Sequence, residues 1–212
     1  LNVGHDATAT LLKDGKVIAS IAEERMTRIK YHFGFPYDSI KECLNISGIK
    51  PESIDMVTLS FKSHLKGKVN AEQYVMIDDS GSMDPSNEYT SEYLLNIVAN
   101  KIRNKVSMGI NAKDYFKDAL DTLQIKSDII AFDHHYCHAA SVYFDFGHDE
   151  ALIVTADGAG DGLSASISVG KDGDLNTIHT VNDYLSVGRF YSAVTRYLGF
   201  KRNRHEGKVT GL

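Results

Sequence analysis

The first two apolar-rich runs of the chain have the length of β-strands. Residues 7–12 and 17–22 flank Asp14-Gly15, the residue pair that favours a tight two-residue turn. This pattern predicts an antiparallel β-hairpin near the beginning of the chain.

A helical period follows Pro36. Ile40, Cys43, Leu44 and Ile46 recur at a spacing that puts them on one side of a short helix. Gly48 is a favourable end for that helix, and the apolar run at 54–61 is typical of a strand. We therefore predict a β-α-β unit here.

Periodicity is weak in residues 62–88, which contain lysines, Gly67 and the polar sequence DDSGSMDPSN. Residues 88–123 regain a helical pattern, with a break expected around SMGINAKD at 107–114. We predict that 62–127 is an insertion or variable helical segment. The apolar residues that define its helical period are Tyr93, Leu94, Ile97, Val98 and Ile102.

The second half of the chain has a similar order of elements. A buried strand is predicted at 128–133, a helix from about His134, a second buried strand ending at Asp157, and a hairpin with its turn in KDGD. Each hairpin follows an acidic turn that contains glycine, which suggests a duplicated α/β architecture. A final helix is predicted at 187–200. The residues expected to face the core from this helix are Phe190, Val194, Tyr197 and Leu198.

The composition excludes several classes of protein. The 212 residues include 28 acidic and 23 basic side chains, spread evenly, with a formal net charge of -5. We find no basic stripe for DNA and no apolar run near the about 20 residues that span a membrane. Two distant cysteines, Cys43 and Cys137, and no signal-peptide pattern favour the cytoplasm. Leu1 at the first position and the closing sequence EGKVTGL indicate a fragment.

Three histidines and a cysteine lie within five positions in the sequence AFDHHYCHAASVYF. On a helix with Asp133 as N-cap, His134 and His138 share one face, with Cβ atoms about 5 to 6 Å apart. Asp157 ends the next strand, so two imidazoles and a carboxylate could bind ferrous iron and, less diagnostically, zinc or manganese. A polar surface helix without a metal is the alternative interpretation.

The turn DGAGDG also has two interpretations. Gly158, Gly160 and Gly162 could let backbone N–H groups approach phosphate oxygens while Asp157 or Asp161 binds an accompanying cation. Alternatively, the glycines could only permit a tight turn. His135 and Cys137 point away from the metal-binding face, and we assign them to packing or to support of the metal ligands.

Residues in the first half are candidates for contact with the substrate. His5, in the turn VGHDA, could accept a proton from a hydroxyl, or it could only stabilise the turn. Arg25, Arg28 and Lys30 lie beside aromatic residues and could bind an anionic substrate. A solvated charged loop is the commoner explanation for such a sequence.

Several motifs together resemble the NodU/CmcH-type O-carbamoyltransferases, which include the tobramycin and cephalosporin carbamoylating enzymes. In family order, these motifs are GHDATATLLKDGKVIASIAEERMTRIKYHFGFP, DHHYCHAASVYF, ALIVTADGAGDGLSASI and RNRHEGKVTGL. Residues 62–127 are the part that matches poorly. Ordered agreement over several motifs is more specific than any one of them.

The resemblance implies the duplicated α/β fold of sugar kinases, chaperones and actin, which is ribonuclease H-like, with mixed sheets flanked by helices. Residues 1–212 would be the N-terminal part of the catalytic domain. A second subdomain and a domain that processes carbamoyl phosphate are expected beyond residue 212. The implied site residues are the metal ligands His134, His138 and Asp157, the base His5, the substrate-pocket residue Lys30, and the phosphate-binding Gly158 and Gly160.

The implied reaction is ATP-dependent transfer of a carbamoyl group from carbamoyl phosphate, through a carbamoyl adenylate, to a hydroxyl of a small-molecule acceptor. The implied cofactors are ATP with Mg²⁺ and a second divalent metal, usually iron, and a homodimer is compatible with the family. The alternatives are a threonylcarbamoyl-type transferase acting on tRNA, a non-catalytic actin-like nucleotide-binding module, and a sugar or acetate kinase with Asp6 as its base.

Overall fold

The computed structural model describes residues 1–62, 68–69, 110–202 and 205–212. They form two compact units, the first ending at Ala131 and the second beginning at Phe132. Both units combine helices with strands, so the described chain is mixed α/β.

The elements of the first unit follow one another in this order. They are β1 (Thr8–Lys13), β2 (Lys16–Ala22), α1 (Glu23–Thr27), α2 (Tyr37–Ser47), a 3-10 turn (Pro51–Ser53), β3 (Met56–Leu59), β4 (Lys68–Val69), β5 (Ile110–Asn111), α3 (Ala112–Thr122) and β6 (Asp128–Ala131).

The predicted hairpin at the beginning of the chain is confirmed. Strands β1 and β2 pair antiparallel, and the residues between them are Asp14 and Gly15. Both have positive φ angles, 50° and 75°, as required in the type I′ turn whose twist matches that of a two-stranded ribbon. The local sequence therefore determines this part of the fold.

The first residues of the chain join this hairpin to a second pair of strands. Asn2 forms an antiparallel bridge with Thr8 of β1. On its other side, the Leu1 amino group donates to the carbonyl of Thr58, and Ser60 N–H donates to the carbonyl of Leu1. Since β3 pairs with β6 in parallel, the order across the unit is β2, β1, the first two residues, β3 and β6.

Strands β3 and β6 differ from their predictions. β3 begins only at Met56, because Ile54 still closes the preceding 3-10 turn by donating its N–H to the carbonyl of Pro51. The prediction of a buried strand at β6 is wrong, since Ile130 is 40% exposed. Successive residues of a strand point to opposite faces, and only Ile129 and Ala131 pack against the core.

The core of the first unit is formed by its strands together with α2 and α3. Ile40 and Cys43 of α2 and Phe116 and Leu120 of α3 are at most 5% exposed. Ile46, predicted on the same face of α2, is instead 58% exposed. At 3.6 residues per turn, six residues rotate a helix about 240° past one full turn, which takes Ile46 away from the face of Ile40.

Glu23 is a buried carboxylate that caps a helix distant from it in sequence. Helix α2 begins after Pro36, which makes no side-chain cap. Glu23 is 2% exposed, and its two oxygens accept from the N–H groups of Asp38 at 3.0 Å and Ser39 at 2.7 Å. Its negative charge at a helix N-terminus is also favoured by the helix dipole. Glu23 therefore ties the end of β2 to the beginning of α2.

We predict that Glu23→Ala lowers the free energy of unfolding by about 1–3 kcal/mol, because two N–H groups at a largely buried helix end lose their acceptor. Urea denaturation of the purified protein measures this change. Glu52→Ala, at an exposed position, is the control and should stay within about 0.5 kcal/mol of wild type. Equal stability of the two variants would contradict the capping role.

The predicted insertion at 62–127 is described only in part. Strands β4 and β5 pair antiparallel within it, and α3 follows β5 directly. Because Phe116 and Leu120 are core residues, α3 belongs to the packed body of the first unit. The apolar positions between 93 and 102 and the first three residues of the expected break, 107–109, lie outside the described residues.

The elements of the second unit follow one another in this order. They are α4 (His134–Phe146), β7 (Glu150–Gly160), β8 (Leu163–Lys171), β9 (Asp174–Asn182), a 3-10 turn (Asp183–Leu185), α5 (Val187–Tyr197) and α6 (Glu206–Val209).

Three antiparallel strands form the sheet of the second unit, in the order β7, β8, β9. The second predicted hairpin is confirmed, with its turn at Asp172 and Gly173, whose φ angles are 51° and 86°. These angles resemble those of the first hairpin turn. The two units therefore share a hairpin of the same type.

Helix α4 packs on a face of small residues from β8. Ser164, Ser166, Ser168 and Gly170 are buried on this face. A Cβ on Gly170 would lie 2.4 Å from the ring of Tyr143 in α4, so the helix could not pack this closely on a larger residue. Small side chains on the strand thus set the distance between helix and sheet.

Strand β7 is buried on one face only. Ile153 and Thr155 are buried, whereas Leu152 and Val154 are 68% and 67% exposed. The prediction of a buried strand is therefore wrong for half of its residues. Among the described residues, α4 covers the face of Ile153, and the alternate side chains point away from it.

Helix α5 has the opposite orientation to the one predicted. Phe190, Tyr197 and Leu198, expected to face the core, are 69%, 90% and 45% exposed. Ser192 and Thr195 are the buried residues of this helix. The spacing of apolar residues predicted the helix correctly, but it predicted the wrong side of the helix to face the core.

The reason lies in how closely α5 approaches its neighbours. A Cβ on Gly188 would lie 2.9 Å from the backbone nitrogen of Gly158, so only glycine allows this contact. On the same side, the hydroxyl of Ser192 donates to Glu206 Oε1 at 2.8 Å. Small and hydrogen-bonded residues thus take the inner face, while Val194 is half-buried.

Two remaining observations concern the whole of the described chain. None of the described helices combines the length and the apolar character needed to cross a membrane. Burial raises the pKa of the Cys43 thiol, which keeps that thiol protonated and unreactive.

Candidate metal centre

Helix α4 begins with the predicted N-cap. The side chain of Asp133 accepts a hydrogen bond from Tyr136 N–H at 3.2 Å and so satisfies one of the free N–H groups at the helix N-terminus. His134 is the first residue of the helix, and His138 follows about one turn later. The two imidazoles therefore lie on the same face, with ring centroids 4.4 Å apart.

The side chains of His134, His138 and Asp157 converge. His134 Nε2 lies 2.7 Å from Asp157 Oδ2 and 3.0 Å from His138 Nε2, and His138 Nε2 lies 3.6 Å from Asp157 Oδ2. One nitrogen or oxygen atom from each residue lies within 4.8 Å of the others. Their predicted proximity is confirmed, and this donor set suits iron or zinc. Their role as ligands stays a prediction.

The protonation states of two of these groups suit a cation. A hydrogen bond from His134 strongly lowers the pKa of the Asp157 carboxyl, and the Gly158 N–H acts in the same direction against the effect of burial. Burial lowers the pKa of His138, helped by the nearby His134 and opposed by Asp157. A charged carboxylate and a neutral imidazole are the forms that bind metals.

Asp157 lies at an irregularity in β7. The pairing of β7 with β8 shifts register between Ala156 and Gly160. From the other side, Ser186 Oγ donates to the carbonyl of Asp157 at 3.0 Å and accepts from Arg189 N–H at 3.0 Å. Ser186 is the N-cap of α5. The residue that caps α5 therefore also holds the bulge that places Asp157 beside the histidines of α4.

The three residues predicted to bind the nucleotide, Gly158, Gly160 and Asp161, differ from one another in what surrounds them. A Cβ on Gly160 would lie 1.9 Å from His134 Cδ2, so the ring of His134 can pack there only against glycine. A Cβ on Gly158 would meet no heavy atom within 4 Å. Asp161 Oδ2 accepts from His134 N–H at 3.0 Å. The structure brings Gly160 and Asp161 to the histidine, and their contact with a nucleotide stays a prediction.

His5 and Lys30 lie in the first unit and are exposed. His5 Nδ1 is 2.8 Å from Asp6 Oδ2, with 78% of the histidine side chain exposed. Because a carboxylate only accepts hydrogen bonds, a neutral His5 ring carries its proton on Nδ1 and leaves Nε2 as a proton acceptor. Lys30 Nζ is 3.3 Å from Glu24 Oε1. The catalytic roles of His5 and Lys30 stay predictions.

The segments that carry these two residues contact each other. Ala7 N–H donates to the carbonyl of His32 at 3.0 Å, and Gly34 N–H donates to the carbonyl of Gly4 at 3.4 Å. Tyr31 has a φ of 57°, an uncommon backbone conformation for a bulky residue. The turn of His5 and the loop of Lys30 thus form one surface region.

The family model for the carbamoyltransferase N-terminus matches residues 2–212. The chain belongs to this carbamoyltransferase family. The resemblance predicted from the motifs is therefore confirmed, and the match includes every residue of the candidate metal centre.

This chain is similar over nearly its whole length to three proteins that are longer than it is. It is 30% identical to an uncharacterized protein of Synechocystis sp. over 217 residues, which cover 98% of this chain and 32% of the relative. It is 28% identical to the nodulation protein NolNO of Sinorhizobium fredii, covering 98% and 27%. An uncharacterized protein of Methanocaldococcus jannaschii is 29% identical, covering 99% and 31%. The chain spans about a third of the length of these relatives.

Three supporting residues in this chain of the carbamoyltransferase family were not predicted from the sequence. Asn2 Nδ2 donates to the carbonyl of His5 at 2.9 Å, and an asparagine just before a glycine turn was the available signal. Thr155 Oγ1 lies 2.8 Å from Nδ1 of the buried His135, and it precedes Asp157 by two residues on one strand. Ser186 could have been found as a serine before a helical period.

Proposed function

We propose that this chain is the N-terminal part of an ATP-dependent enzyme that transfers a carbamoyl group to a hydroxyl of a small-molecule acceptor. The carbamoyl donor is carbamoyl phosphate, activated as a carbamoyl adenylate. The observation that carries the proposal is the convergence of His134, His138 and Asp157 in a chain of this family. Formation of the adenylate is assigned to the part of the relatives that this chain does not match.

The arrangement of strands supports the proposed fold, the duplicated ribonuclease H-like fold of sugar kinases and actin. In the first unit, the first residues of the chain have an antiparallel neighbour in β1 and are hydrogen-bonded to β3 on the other side. The second unit repeats the antiparallel hairpin with the same Asp-Gly turn. Two similar halves are the expected result of duplication.

The donor atoms fit a divalent metal, for which Fe²⁺ is the first choice and Zn²⁺ or Mn²⁺ the others. His134, His138 and Asp157 would hold it, each through the atom that already faces the other two. When bound, the metal supplies a Lewis acid that neutralises negative charge on phosphate oxygens. The low pKa of Asp157 keeps its carboxylate charged for this purpose.

The surroundings of the β7 bulge support binding of the ATP phosphates with Mg²⁺. Helices α4 and α5 both begin against this bulge, through Asp161 and Ser186. The N-terminus of a helix attracts anions through its N–H groups and its dipole. No heavy atom lies within 4 Å of the position of a Cβ on Gly158, which leaves space for a phosphate oxygen beside the backbone.

His5 is the proposed general base. Its Nε2 takes the proton of the acceptor hydroxyl as the hydroxyl oxygen bonds to the carbamoyl carbon. The bond from that carbon to the phosphate oxygen then breaks, and AMP leaves with the electron pair. Asp6, 2.8 Å from Nδ1, stabilises the imidazolium that results. Lys30, exposed beside this turn, offers a positive charge to an anionic part of the substrate.

The test is acceptor-dependent release of AMP. The gene is expressed in full, the protein is loaded with Fe²⁺, and AMP is measured with ATP, carbamoyl phosphate and a panel of hydroxyl compounds. His5→Ala should lower the rate about 10²–10⁴-fold and leave the metal content unchanged, since His5 is not among the converging residues. His179→Ala, at an exposed position on β9, should behave as wild type.

Two outcomes would contradict the proposed function. Failure to release AMP with any metal and any acceptor would refute the proposed reaction. Stoichiometric nucleotide binding without metal and without AMP release would instead support a non-catalytic actin-like module. The proposed cytoplasmic location rests on cysteine usage, and fractionation of cells that express the gene tests it.

A further inference from the structure

We infer that Asp161 is a positioning residue for His134, holding the histidine backbone at the place where its ring can bind the metal. Asp161 Oδ2 accepts a hydrogen bond from His134 N–H at 3.0 Å, across 27 residues of sequence. The inference rests on the proposed metal centre. It gives the carboxylate of Asp161 a purpose other than contact with the nucleotide.

The contact of Asp161 is one of three that fix His134. The ring tip is held by Asp157, with Nε2 2.7 Å from Oδ2. The ring itself packs on Gly160, where a Cβ would lie 2.3 Å from His134 Cγ. Asp161 holds the remaining part, the backbone. Backbone, ring and ring nitrogen are therefore each bound by residues of the same bulge and turn.

The position of His134 in its helix makes the third contact necessary. The first N–H groups of a helix have no partner within that helix. Asp133 satisfies the N–H of Tyr136, and Asp161 satisfies that of His134. Without Asp161, the His134 N–H would lose this acceptor, and fraying at the start of α4 would increase. Metal ligands need their positions fixed to within about 0.5 Å, so fraying at His134 would weaken binding.

The turn that carries Asp161 provides a matched control elsewhere in the same sheet. Asp161 and Gly162 have φ angles of 51° and 85°, and Asp172 and Gly173 have 51° and 86°. Aspartate tolerates this left-handed conformation better than most residues, so its replacement by alanine strains both turns alike. Asp172 is exposed at the end of the β8–β9 hairpin. A difference between the two alanine variants thus reports the contacts of the Asp161 side chain and not the strain of the turn.

The first measurement is the affinity of metal-free protein for Co²⁺, whose visible absorption reports its ligands, in competition with a chelator. Asp161→Ala should weaken binding about 10- to 100-fold, the usual loss when a residue that supports a metal ligand is removed. Asp172→Ala should bind as wild type. Asp161→Asn keeps an oxygen acceptor and should recover most of the affinity.

The second measurement needs no metal. Hydrogen exchange at the His134 amide should become faster in Asp161→Ala and stay unchanged in Asp172→Ala. Unchanged exchange in Asp161→Ala would overturn the inference. The inference would also be overturned if Asp161→Ala bound metal as tightly as Asp172→Ala does. If Asp161→Ala kept its metal affinity but lost ATP binding in the metal-free protein, Asp161 would be assigned to the nucleotide.

These two measurements separate failure of the inference from failure of the proposed function. If the wild-type protein bound neither Co²⁺ nor Fe²⁺, the proposed metal centre would be refuted, and so would the role of the His134 ring as a metal ligand. The exchange rate at His134 would still decide whether Asp161 holds the backbone.

Discussion

Replacing His138 with alanine is expected to lower the affinity of the protein for Fe²⁺ by more than about 100-fold. His138 supplies one of three converging atoms, so only His134 and Asp157 would be left. Loss of a residue that merely supports a ligand costs about 10- to 100-fold in affinity, and loss of a ligand should cost more. His138→Ala should therefore weaken metal binding more than Asp161→Ala does.

His138→Ala is also the cleanest of the ligand variants. The side chain of His138 is 50% exposed, whereas that of His134 is 12% exposed and packs on Gly160. Truncation at His138 therefore creates no buried cavity, and alanine is favourable in the middle of a helix. Circular dichroism and the midpoint of unfolding in the presence of a chelator should match those of wild type.

The measurement is an anaerobic titration of metal-free protein with Fe²⁺ against a competing chelator, repeated with Zn²⁺. His179→Ala removes an exposed histidine from the same unit and serves as the control. Wild-type affinity in His138→Ala, for both metals, would rule out the proposed centre. Weakened Zn²⁺ binding with unchanged Fe²⁺ binding would show that iron binds elsewhere.

Gly160→Ala is expected to have the second largest effect. The new Cβ would lie 1.9 Å from Cδ2 of His134, so either the ring or the strand must move. Overpacking of this kind costs about 1–3 kcal/mol in the free energy of unfolding. Because the ring that moves is a proposed metal ligand, affinity for Fe²⁺ should also fall about 10-fold or more.

The neighbouring glycine provides the control for this variant. A Cβ on Gly158 would meet no heavy atom within 4 Å, so Gly158→Ala should unfold and bind Fe²⁺ as wild type does. Thermal or urea denaturation and the same metal titration measure both variants. Because a phosphate oxygen is proposed to bind beside Gly158, Gly158→Ala should lose ATP affinity while its stability and Fe²⁺ affinity stay those of wild type. Equal stability of Gly160→Ala and wild type would show that His134 does not pack on this glycine.

The parts of the fold that the sequence predicted are those decided by local chemistry. Asp14 and Gly15 determine a turn by their own conformational preferences, and Asp133 determines where a helix begins. His134 and His138 could be paired because the helical period alone puts them on one face. For each of these residues, the information lies within a few positions of sequence.

Other features depend on contacts between distant residues, which no local pattern contains. The inner face of α5 is decided by Gly188 against Gly158, so Phe190 points outward despite its helical spacing. Likewise, the carboxylates of Glu23 and Asp161 cap helices that lie 15 and 27 residues away. A residue type predicts that a group can accept hydrogen bonds, but only the packed chain determines which donor it meets.

The bulge at Asp157 connects the candidate metal centre with the N-terminus of α5. Its carboxylate belongs to the candidate metal centre, while its carbonyl accepts from Ser186, the cap of α5. If phosphate binds at the start of α5, a shift at Asp157 alters both binding events. Thermodynamic linkage then requires that the factor by which the metal changes nucleotide affinity equals the factor by which the nucleotide changes metal affinity. One peptide unit would thus make the two ligands allosteric effectors of each other.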